Sequence, residues 1–309
     1  MVSPAQRRAL ADFFEKEFEL SERRACALAG LSRTVRRYKS RREPDVELRS
    51  ELKRLASERP RFGYRRLGVL LRRRVGLVVN HKRLWRIYRE EGLVVRRKKR
   101  RRVASAAREA RPELTGPNQR WSMDFMSDGL KNGRTLRVLN IVDDWSRLCP
   151  AMEVDLSLSA HRVVRTLERA GELHGFPKSI VMDNGPEFTS RVLDQWAHER
   201  GIELIFIRPG KPTENAYAES FNGRVREECL NQHWFDSVEH ARELCEAWRE
   251  DYNTVRPHTS LGGLSPSEFL SQRTGGHARP CAASPLIDEG MLDEQRRLSL
   301  PSTPAPSVS

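Results

Sequence analysis

The order of segments between residues 118 and 252 constrains the fold of this chain more than any other feature. Three consecutive segments rich in β-branched and apolar residues, at 120–126, 135–143 and 148–154, are typical of strands separated by turns. Helices and short strands then alternate, with helices predicted at 159–173, 189–200, 213–229 and 237–252 and strands at 179–182 and 203–207. Three consecutive strands followed by β–α units predict an α/β core with a mixed five-stranded sheet and flanking helices.

Two helical regions precede this core, at 1–44 and 45–95. The first resembles a helix-turn-helix, with a Ser-capped helix over 21–29 and a second helix over 33–38. Three DNA-contact candidates lie on that second helix: Arg33, Arg36 and Arg37. An ordinary basic helical hairpin fits the same spacing, so the pattern alone leaves both interpretations open.

The region 45–95 predicts a second all-α DNA-binding domain, with helices over 45–57, 64–75 and 81–88. Its DNA-contact candidates are Arg65, Arg66, Lys82 and Arg83. Leu84, Trp85 and Tyr88 are assigned to the core of this domain in preference to stacking on bases. A domain boundary follows, and residues 118–270 form the predicted core with its C-terminal helices.

Charge is distributed very unevenly along the chain. Residues 1–110 contain 33 Lys and Arg against 13 Asp and Glu, whereas acidic residues outnumber basic ones in the remainder. The basic linker over 96–117 adds further predicted phosphate contacts at Arg96, Arg97, Lys98 and Lys99. Such a basic region predicts a nucleic-acid partner, because each cation that neutralises a phosphate releases condensed counterions.

Other classes of protein fit the sequence poorly. Membrane binding would need an apolar helical face or an apolar run of about 20 residues, and we expect no membrane partner. The five cysteines lack disulfide or zinc spacing, and the N-terminus lacks the apolar stretch of a secretory signal. We expect a cytoplasmic protein with a disordered tail over 271–309, which is rich in Ser, Pro, Gly and Ala.

Three carboxylates in the core indicate metal chemistry. Asp124 lies within the first strand, Asp183 ends a buried strand, and Glu219 lies within a helix. An unpaired carboxylate in a strand is costly to bury unless a cation or hydrogen-bond donor compensates it. Spacing alone does not exclude four other carboxylates as metal ligands: Asp128, Asp143, Asp144 and Glu187. A purely structural role also remains an alternative for each of the three candidates.

The motifs around these carboxylates resemble a known family. The matching core segments are Trp121-Ser122-Met123-Asp124-Phe125, Asp183-Asn184-Gly185-Pro186-Glu187-Phe188 and the stretch from Gly210 to Arg224. Further matches are Asp251-Tyr252-Asn253, Arg256-Pro257-His258, the stretch 261–266 and, upstream, Phe62-Gly63-Tyr64-Arg65-Arg66 through Arg83. Together they resemble insertion-sequence transposases of the DDE and retroviral-integrase superfamily, in particular the catalytic second-frame product of copy-out–paste-in elements. The similarity covers roughly residues 45–270.

The resemblance implies a ribonuclease H-like core in which Asp124, Asp183 and Glu219 are catalytic and bind two Mg²⁺ ions, with Mn²⁺ as a possible substitute. It further implies that Arg226 and Lys211 contact DNA phosphates. Asn184 and Asn215 are candidates for orienting substrate, although turn and cap roles fit them equally well. This chain departs from the family at Glu214, where Gln is common, and an added carboxylate there could weaken activity.

The function implied is a bacterial, nucleoid-associated transposase that cleaves and joins double-stranded DNA at the ends of its own element. Two ends must be paired, so a homo-oligomer is expected. The alternatives are a non-catalytic DNA-binding repressor or decayed transposase, and a metal nuclease acting on RNA or hybrids. The chain leaves open whether a part encoded in an upstream frame is fused to it by frameshifting.

Overall fold

The computed structural model describes residues 4–38, 45–95, 113–208 and 212–275. The chain divides into two compact units, residues 1–50 and 51–309. Five predicted DNA contacts lie outside the described residues: Arg96, Arg97, Lys98, Lys99 and Lys211. Most of the predicted linker and tail also lie outside them, and the predicted domain boundaries stay predictions.

The first unit is helical in its described part, with α1 over Pro4–Phe18, α2 over Glu22–Leu28 and α3 over Arg33–Arg37. The predicted Ser32 cap is confirmed, because its hydroxyl accepts a 3.2 Å hydrogen bond from the Val35 amide. The predicted Ser21 cap makes no such side-chain bond. Helix α1 was not predicted from the sequence. Its Arg7 donates a hydrogen bond to the Gly30 carbonyl, just after α2, and its Arg8 donates to the Val35 carbonyl in α3.

Three further helices precede the sheet: α4 over Val46–Glu58, α5 over Tyr64–Leu70 and α6 over His81–Glu90. Helix α5 continues as a π-helical turn over Leu71–Val75. Asn80 caps α6 by accepting a 2.9 Å hydrogen bond from the Lys82 amide. Leu84 and Tyr88 are buried as predicted, whereas Trp85 is 39% exposed and rests against Tyr64.

The core contains one five-stranded sheet in the order β3-β2-β1-β4-β5. Its strands are β1 over Arg120–Gly129, β2 over Thr135–Asp143, β3 over Ala151–Asp155, β4 over Ser179–Met182 and β5 over Glu203–Phe206. Strands β1, β2 and β3 pair antiparallel, whereas β4 pairs parallel to both β1 and β5. This mixed topology confirms the ribonuclease H-like core that the sequence resemblance implies.

Helices cover both faces of the sheet. They are α7 over Ala160–His174, α8 over Arg191–Arg200, α9 over Ala216–Glu228, α10 over Val238–Thr254 and α11 over Pro266–Thr274. Short 3₁₀ turns lie at Pro212–Asn215, Leu230–Gln232 and Thr259–Leu261. One apolar core lies between the sheet and α7 and α8, and a second lies between the sheet and α9 and α10. Within the described ranges, no helix has the length and apolarity to cross a bilayer.

Several element boundaries differ from the sequence prediction: β1 continues to Gly129 instead of ending at 126, and α9 begins at Ala216 instead of 213. Strand β3 begins at Ala151, after a turn in which Arg147 adopts a positive φ of 65°. The tail predicted from residue 271 begins too early, because α11 continues to Thr274. A capping box stabilises the start of α11, since Ser265 and Glu268 each accept the other's backbone amide.

A buried ionic cluster joins the end of α9 to the segment after α10. The Arg256 guanidinium is 1% exposed and donates two 2.6 Å hydrogen bonds to the Glu228 carboxylate. Arg66, from α5, also reaches Glu228 at 3.2 Å. The Phe62 ring lies under the guanidinium groups of both arginines. Within the second unit, this cluster therefore ties the helices before the sheet to the α/β core.

His258 lies beside this cluster, and burial together with neighbouring cations lowers its pKa to about 2. The cations that act on it are Arg256, Arg224, Arg66 and Arg147. Because His258 takes up a proton in the unfolded chain near pH 6.5 but stays neutral when folded, its contribution to stability is present above pH 6.5 and is lost on acidification.

We expect the free energy of unfolding to fall by about 2 kcal/mol between pH 7 and pH 5 through His258 alone. A His258→Gln variant should lose that part of the acid sensitivity, which urea unfolding at both pH values measures. His174 and His233, whose pKa values burial also lowers, should add to the fall in both proteins, whereas Asp124, with its pKa raised to about 6, should oppose it in both. An equal fall in wild type and variant would contradict the assignment.

Candidate active site

Asp124 occupies the middle of β1 and faces the side of the sheet on which α9 packs. Its Oδ1 accepts a 2.9 Å hydrogen bond from the Phe125 amide, and its Oδ2 accepts one of 2.9 Å from Nδ2 of Asn222 on α9. The neighbouring Met123 is fully buried on the opposite face. The side chain is half-buried, so the position is partly withdrawn from water yet still accessible.

Asp183 follows directly after the C-terminal end of β4, and this strand end lies next to Asp124 on β1. In the parallel pairing of β1 with β4, Ser122 lies opposite Val181, so two residues further along these strands come Asp124 and Asp183. Asp183 accepts a 3.1 Å hydrogen bond from the Gly185 amide. A Cβ atom at Gly185 would lie 3.1 Å from that Asp183 oxygen, so glycine permits the close turn.

Glu219 lies in the first turn of α9, the helix that packs on the Asp124 side of the sheet. Helix α9 packs against β1 and β2 through Phe221 and Val225, which are buried in the second apolar core. Glu219 itself is exposed. The helix therefore fixes the position of the Glu219 backbone and leaves its carboxylate free to rotate towards the strand ends.

The electrostatics of Asp124 record the proximity of all three carboxylates. Burial, together with the charges of Asp183 and Glu219, raises the pKa of Asp124 to about 6, against hydrogen bonds from Phe125 and Asn222 that lower it. Hard oxygen ligands that repel one another in this way suit a divalent cation. Among the described residues, no three His, Cys, Asp or Glu side chains already form a closed ligand cluster. A metal site would therefore be completed by rotation of side chains such as Glu219.

The rival carboxylates Asp143 and Asp144 have structural partners. Asp143 accepts hydrogen bonds from the Ser146 amide at 2.6 Å, the Ser146 hydroxyl at 2.7 Å and the Asn118 amide at 2.8 Å. Asp144 is 1% exposed and accepts 2.6 Å bonds from Arg120 and Ser122. Both side chains thus hold the turn after β2.

The other two rivals are also paired. Glu187 forms an ion pair with Arg137 of β2, whose hydrogen bond and charge lower the pKa of Glu187. Asp128 pairs with Arg226 at 2.9 Å, and Arg226 also donates to the Ser127 carbonyl. Of the carboxylates considered, Asp124, Asp183 and Glu219 thus remain the best set for a metal.

Three other predicted site residues have clear positions. Arg226 is held against β1 by Asp128, so a phosphate contact would compete with that pair. Asn184 donates a 2.9 Å hydrogen bond to the Ile207 carbonyl and is exposed. Asn215 is buried and donates a 3.0 Å bond to the Met123 carbonyl, next to Asp124. Their roles towards DNA stay predictions.

Glu214, the position at which this chain departs from the family pattern, forms an ion pair with Arg208. Its carboxylate accepts hydrogen bonds from the Arg208 amide at 2.9 Å and from the Arg208 Nε at 2.6 Å. The negative charge that Glu214 adds to this region is therefore balanced by the Arg208 guanidinium.

The predicted DNA-contacting arginines and lysines fall into two groups. Arg36 pairs with Asp12 and Glu15, Arg37 pairs with Glu22, and Arg66 pairs with Glu228. The members of the second group are exposed: Arg33, Arg65, Lys82 and Arg83. An exposed side chain can contact a DNA phosphate directly. Each arginine of the first group would first have to leave its carboxylate partner.

Arg65 and Arg66 are adjacent and chemically identical, and they allow a matched comparison. Replacing the exposed Arg65 by Ala is expected to weaken duplex binding several-fold and to reduce the slope of log affinity against log salt by about 1. Replacing Arg66 by Ala is expected to lower stability instead, because Glu228 loses a partner. Fluorescence anisotropy over a salt series and urea unfolding measure the two effects. Equal salt slopes for Arg65→Ala and wild type would contradict a phosphate contact at Arg65.

Two residues of this site escaped the sequence analysis, Asn140 and Asn222. Asn222 follows Glu219 by three positions, which places both on one face of α9. Asn140 interrupts an apolar strand and lies directly opposite Asp124 in the β1–β2 pairing. The sequence therefore contained two signals for these residues: the three-residue spacing from Glu219 and the polar residue within an apolar strand. They indicate a contact with Asp124 only when the strand register is known.

Comparison with known proteins gives a consistent result. Two family descriptions, both "Integrase core domain", match residues 115–212 and 200–266, and "HTH-like domain" matches residues 43–101. The chain is 47% identical over 273 residues to an uncharacterized 31.7 kDa protein of insertion element IS407 from Burkholderia multivorans, covering 88% of this chain and 98% of the relative. It is 30% identical over 247 residues to the transposase InsD of insertion element IS2 from Escherichia coli, covering 76% and 82%.

Solved structures are more distant. The catalytic core domain of HTLV-2 integrase in complex with magnesium aligns with a TM-score of 0.42 at 18% identity, covering 50% of this chain and 97% of that one. A simian T-cell lymphotropic virus intasome in complex with a PP2A regulatory subunit aligns with a TM-score of 0.48 at 17% identity, covering 76% and 79%.

Proposed function

Because the chain belongs to the integrase-core transposases of bacterial insertion elements, we propose that it binds the ends of its own element and catalyses metal-dependent DNA cleavage and strand transfer. The observation that carries the catalytic part is the placement of Asp183 and Glu219 near enough to half-buried Asp124 for their charges to raise its pKa. Three carboxylates drawn from a strand, a strand end and a helix suit a site for a polynucleotidyl transferase.

Asp124, Asp183 and Glu219 would hold two Mg²⁺ ions, or Mn²⁺ in their place. Such ions, when bound, activate a water or a DNA 3′-hydroxyl for in-line attack and stabilise the leaving oxygen. The protein contributes the arrangement of ligands. The Phe125 amide and Asn222 stabilise ionised Asp124 by donating hydrogen bonds, and the Gly185 amide does the same for Asp183.

The helical region upstream of the sheet would supply the DNA binding. Phosphate contacts from exposed residues such as Arg65 and Lys82 would set affinity and its salt dependence. Lys211 and Arg226 are proposed to contact DNA phosphates close to the carboxylates. Because two element ends must be joined, the active form is proposed to be a homo-oligomer, associated with the nucleoid through its DNA partners.

A non-catalytic repressor or decayed transposase is the second candidate. It would bind the same DNA ends but would not need Asp183 and Glu219 close enough to Asp124 for their charges to raise the pKa of Asp124. The pairing of the rival carboxylates supports the catalytic candidate, because each of the four rivals considered has a structural partner.

The test uses duplexes copied from the inverted repeats that flank the gene, together with the protein expressed with any overlapping upstream frame. Cleavage at the repeat boundary and joining to a target plasmid are expected with Mg²⁺ or Mn²⁺ and are expected to stop in EDTA. Binding to the duplex, measured by anisotropy, should persist in EDTA. A scrambled duplex of equal length is the matched control.

Specific binding without cleavage at any divalent cation concentration would favour the repressor candidate. Cleavage of the scrambled duplex or of RNA at an equal rate would instead indicate a general nuclease. Either result would overturn the proposal of end-specific transfer.

A further inference from the structure

We propose that Asn222 and Asn140 form a hydrogen-bonded relay that fixes the orientation of the Asp124 carboxylate for metal binding, with Asn222 as the direct positioning residue and Asn140 as its support. The inference rests on the proposed function, because it assigns Asp124 to a metal site.

The relay runs from β2 through α9 to β1. Nδ2 of Asn140 donates a 2.7 Å hydrogen bond to Oδ1 of Asn222, and Nδ2 of Asn222 donates a 2.9 Å bond to Oδ2 of Asp124. Asn140 is fully buried and lies opposite Asp124 in the strand pairing. Three consecutive groups therefore connect two strands and the helix that carries Glu219.

Charge fixes the direction of this relay. An ionised carboxylate can only accept hydrogen bonds, so Asn222 must present its NH₂ group to Asp124. The carbonyl oxygen of Asn222 then faces Asn140, which must donate in turn. Each amide orientation thus follows from the charge on Asp124.

The burial of Asn140 has a cost that packing alone leaves unexplained. Its Oδ1 is buried and has no hydrogen-bond partner among the described residues. An unsatisfied buried acceptor costs about 1–3 kcal/mol, and an apolar residue in the interior of a strand would avoid that cost. The donation to Asn222 is the function that Asn140 serves in this position.

The geometry leaves Asp124 oriented but still able to bind a cation. Each of its two oxygens accepts one hydrogen bond, one from the Phe125 amide and one from Asn222, and each retains a further lone pair. Outer partners of this kind orient metal ligands, and their loss commonly weakens metal binding by about 10–100-fold. Asn222 also shares its helix face with Glu219, so one residue couples the placement of two proposed ligands.

The experiment measures Mn²⁺ binding to the protein without DNA, by electron paramagnetic resonance, alongside strand transfer. Asn222→Ala is expected to weaken Mn²⁺ binding by about 10-fold or more. Asn140→Leu, which preserves volume in the core, is expected to cause a smaller loss. In the Asn222→Ala background, Asn140→Leu should have no further effect, because the relay is already broken.

Asn253→Ala is the matched control. Asn253 is also a buried asparagine, bonded to the Cys149 backbone by both donor and acceptor at 2.9 Å, but it contacts none of the three carboxylates in those bonds. It should lower the melting temperature and leave Mn²⁺ affinity unchanged. Circular dichroism verifies that each variant is folded, and Asn222→Ser serves as a second truncation of the same contact.

The outcomes separate the relay from the metal site itself. Unchanged Mn²⁺ affinity in Asn222→Ala and Asn222→Ser, with clear binding in the wild type, would overturn the relay alone. Additive losses in the double variant would overturn the link between Asn140 and Asn222. Absence of Mn²⁺ binding in the wild type, or equal binding in Asp124→Ala, would overturn the proposed metal function together with the relay.

Discussion

Replacing Asp124 by Asn is expected to abolish strand transfer while making the metal-free protein more stable. Loss of one anionic metal ligand should reduce the rate by at least about 10³-fold, equivalent to about 4 kcal/mol of transition-state stabilisation. Stability should move the other way, because burial and the charges of Asp183 and Glu219 make the ionised carboxylate unfavourable and raise its pKa to about 6.

The sign follows from proton binding. Folded Asp124 binds a proton more tightly than the unfolded chain does, so the metal-free protein loses stability as the pH rises from about 4 through 6. At pH 8 the ionised side chain is fully unfavourable, and Asn should increase the free energy of unfolding by about 1–2 kcal/mol after allowance for solvent screening. Thermal unfolding in EDTA at pH 8 and at pH 5 measures this gain, which should shrink at the lower pH.

Glu187→Gln provides the matched control for this prediction. The Glu187 carboxylate pairs with Arg137 of β2, and this hydrogen bond lowers its pKa, opposite to the shift at Asp124. Its replacement should destabilise the protein in EDTA and leave the Mg²⁺ dependence of strand transfer unchanged. A destabilised Asp124→Asn protein, or one with substantial activity, would contradict the proposed role of Asp124.

Replacing Arg256 by Met is expected to produce the largest loss of stability among the substitutions considered. Glu228 is 9% exposed at its side chain and would retain Arg66 as its remaining ionic partner. Removing one member of a buried ion pair costs about 3–5 kcal/mol, because the other charge is left poorly compensated away from water. The midpoint of urea unfolding should fall accordingly.

The double variant Arg256→Met/Glu228→Gln should recover part of this loss, because the buried Glu228 charge is removed, while Arg66, which also loses its partner, is 25% exposed to water. Arg54→Met is the exposed counterpart, since the Arg54 side chain is 50% exposed while it pairs with Glu51 and Glu58. Its cost should stay below about 1 kcal/mol. Equal losses for Arg54→Met and Arg256→Met would show that burial does not govern the strength of these pairs.

Much of the fold could be predicted from local patterns. The bounds of β2 and β4 agree with prediction, because continuous apolar runs between clear turns define short buried strands. Helix α1 was missed, because its apolar residues include the exposed Leu10, Phe13 and Phe18 and do not form a simple buried stripe. Helix α11 was also missed, because the segment Pro266–Thr274 carries few apolar residues, although a capping box marks its start.

The candidate site was predictable in part. Sequence motifs selected Asp124, Asp183 and Glu219, and the structure brings these residues within electrostatic influence of one another. Asn140 and Asn222 were not found, because a hydrogen bond between residues 82 positions apart leaves no local signal in one sequence. For the same reason, Arg66 could not be distinguished from Arg65, although one is held by Glu228 and the other is exposed.

The sequence by itself determined the five strands and most helices of the α/β core, the concentration of basic charge before the core and the identity of three candidate metal ligands. Tertiary structure decided which acids and bases are already paired, since the Arg137–Glu187 and Arg226–Asp128 pairs join residues 50 and 98 positions apart. It also brought Asp124, in the middle of β1, next to Asp183, just after the end of β4, through the parallel pairing of these strands. The physical reason is that propensity and periodicity act between near neighbours, whereas charge compensation and desolvation depend on what the fold brings into contact.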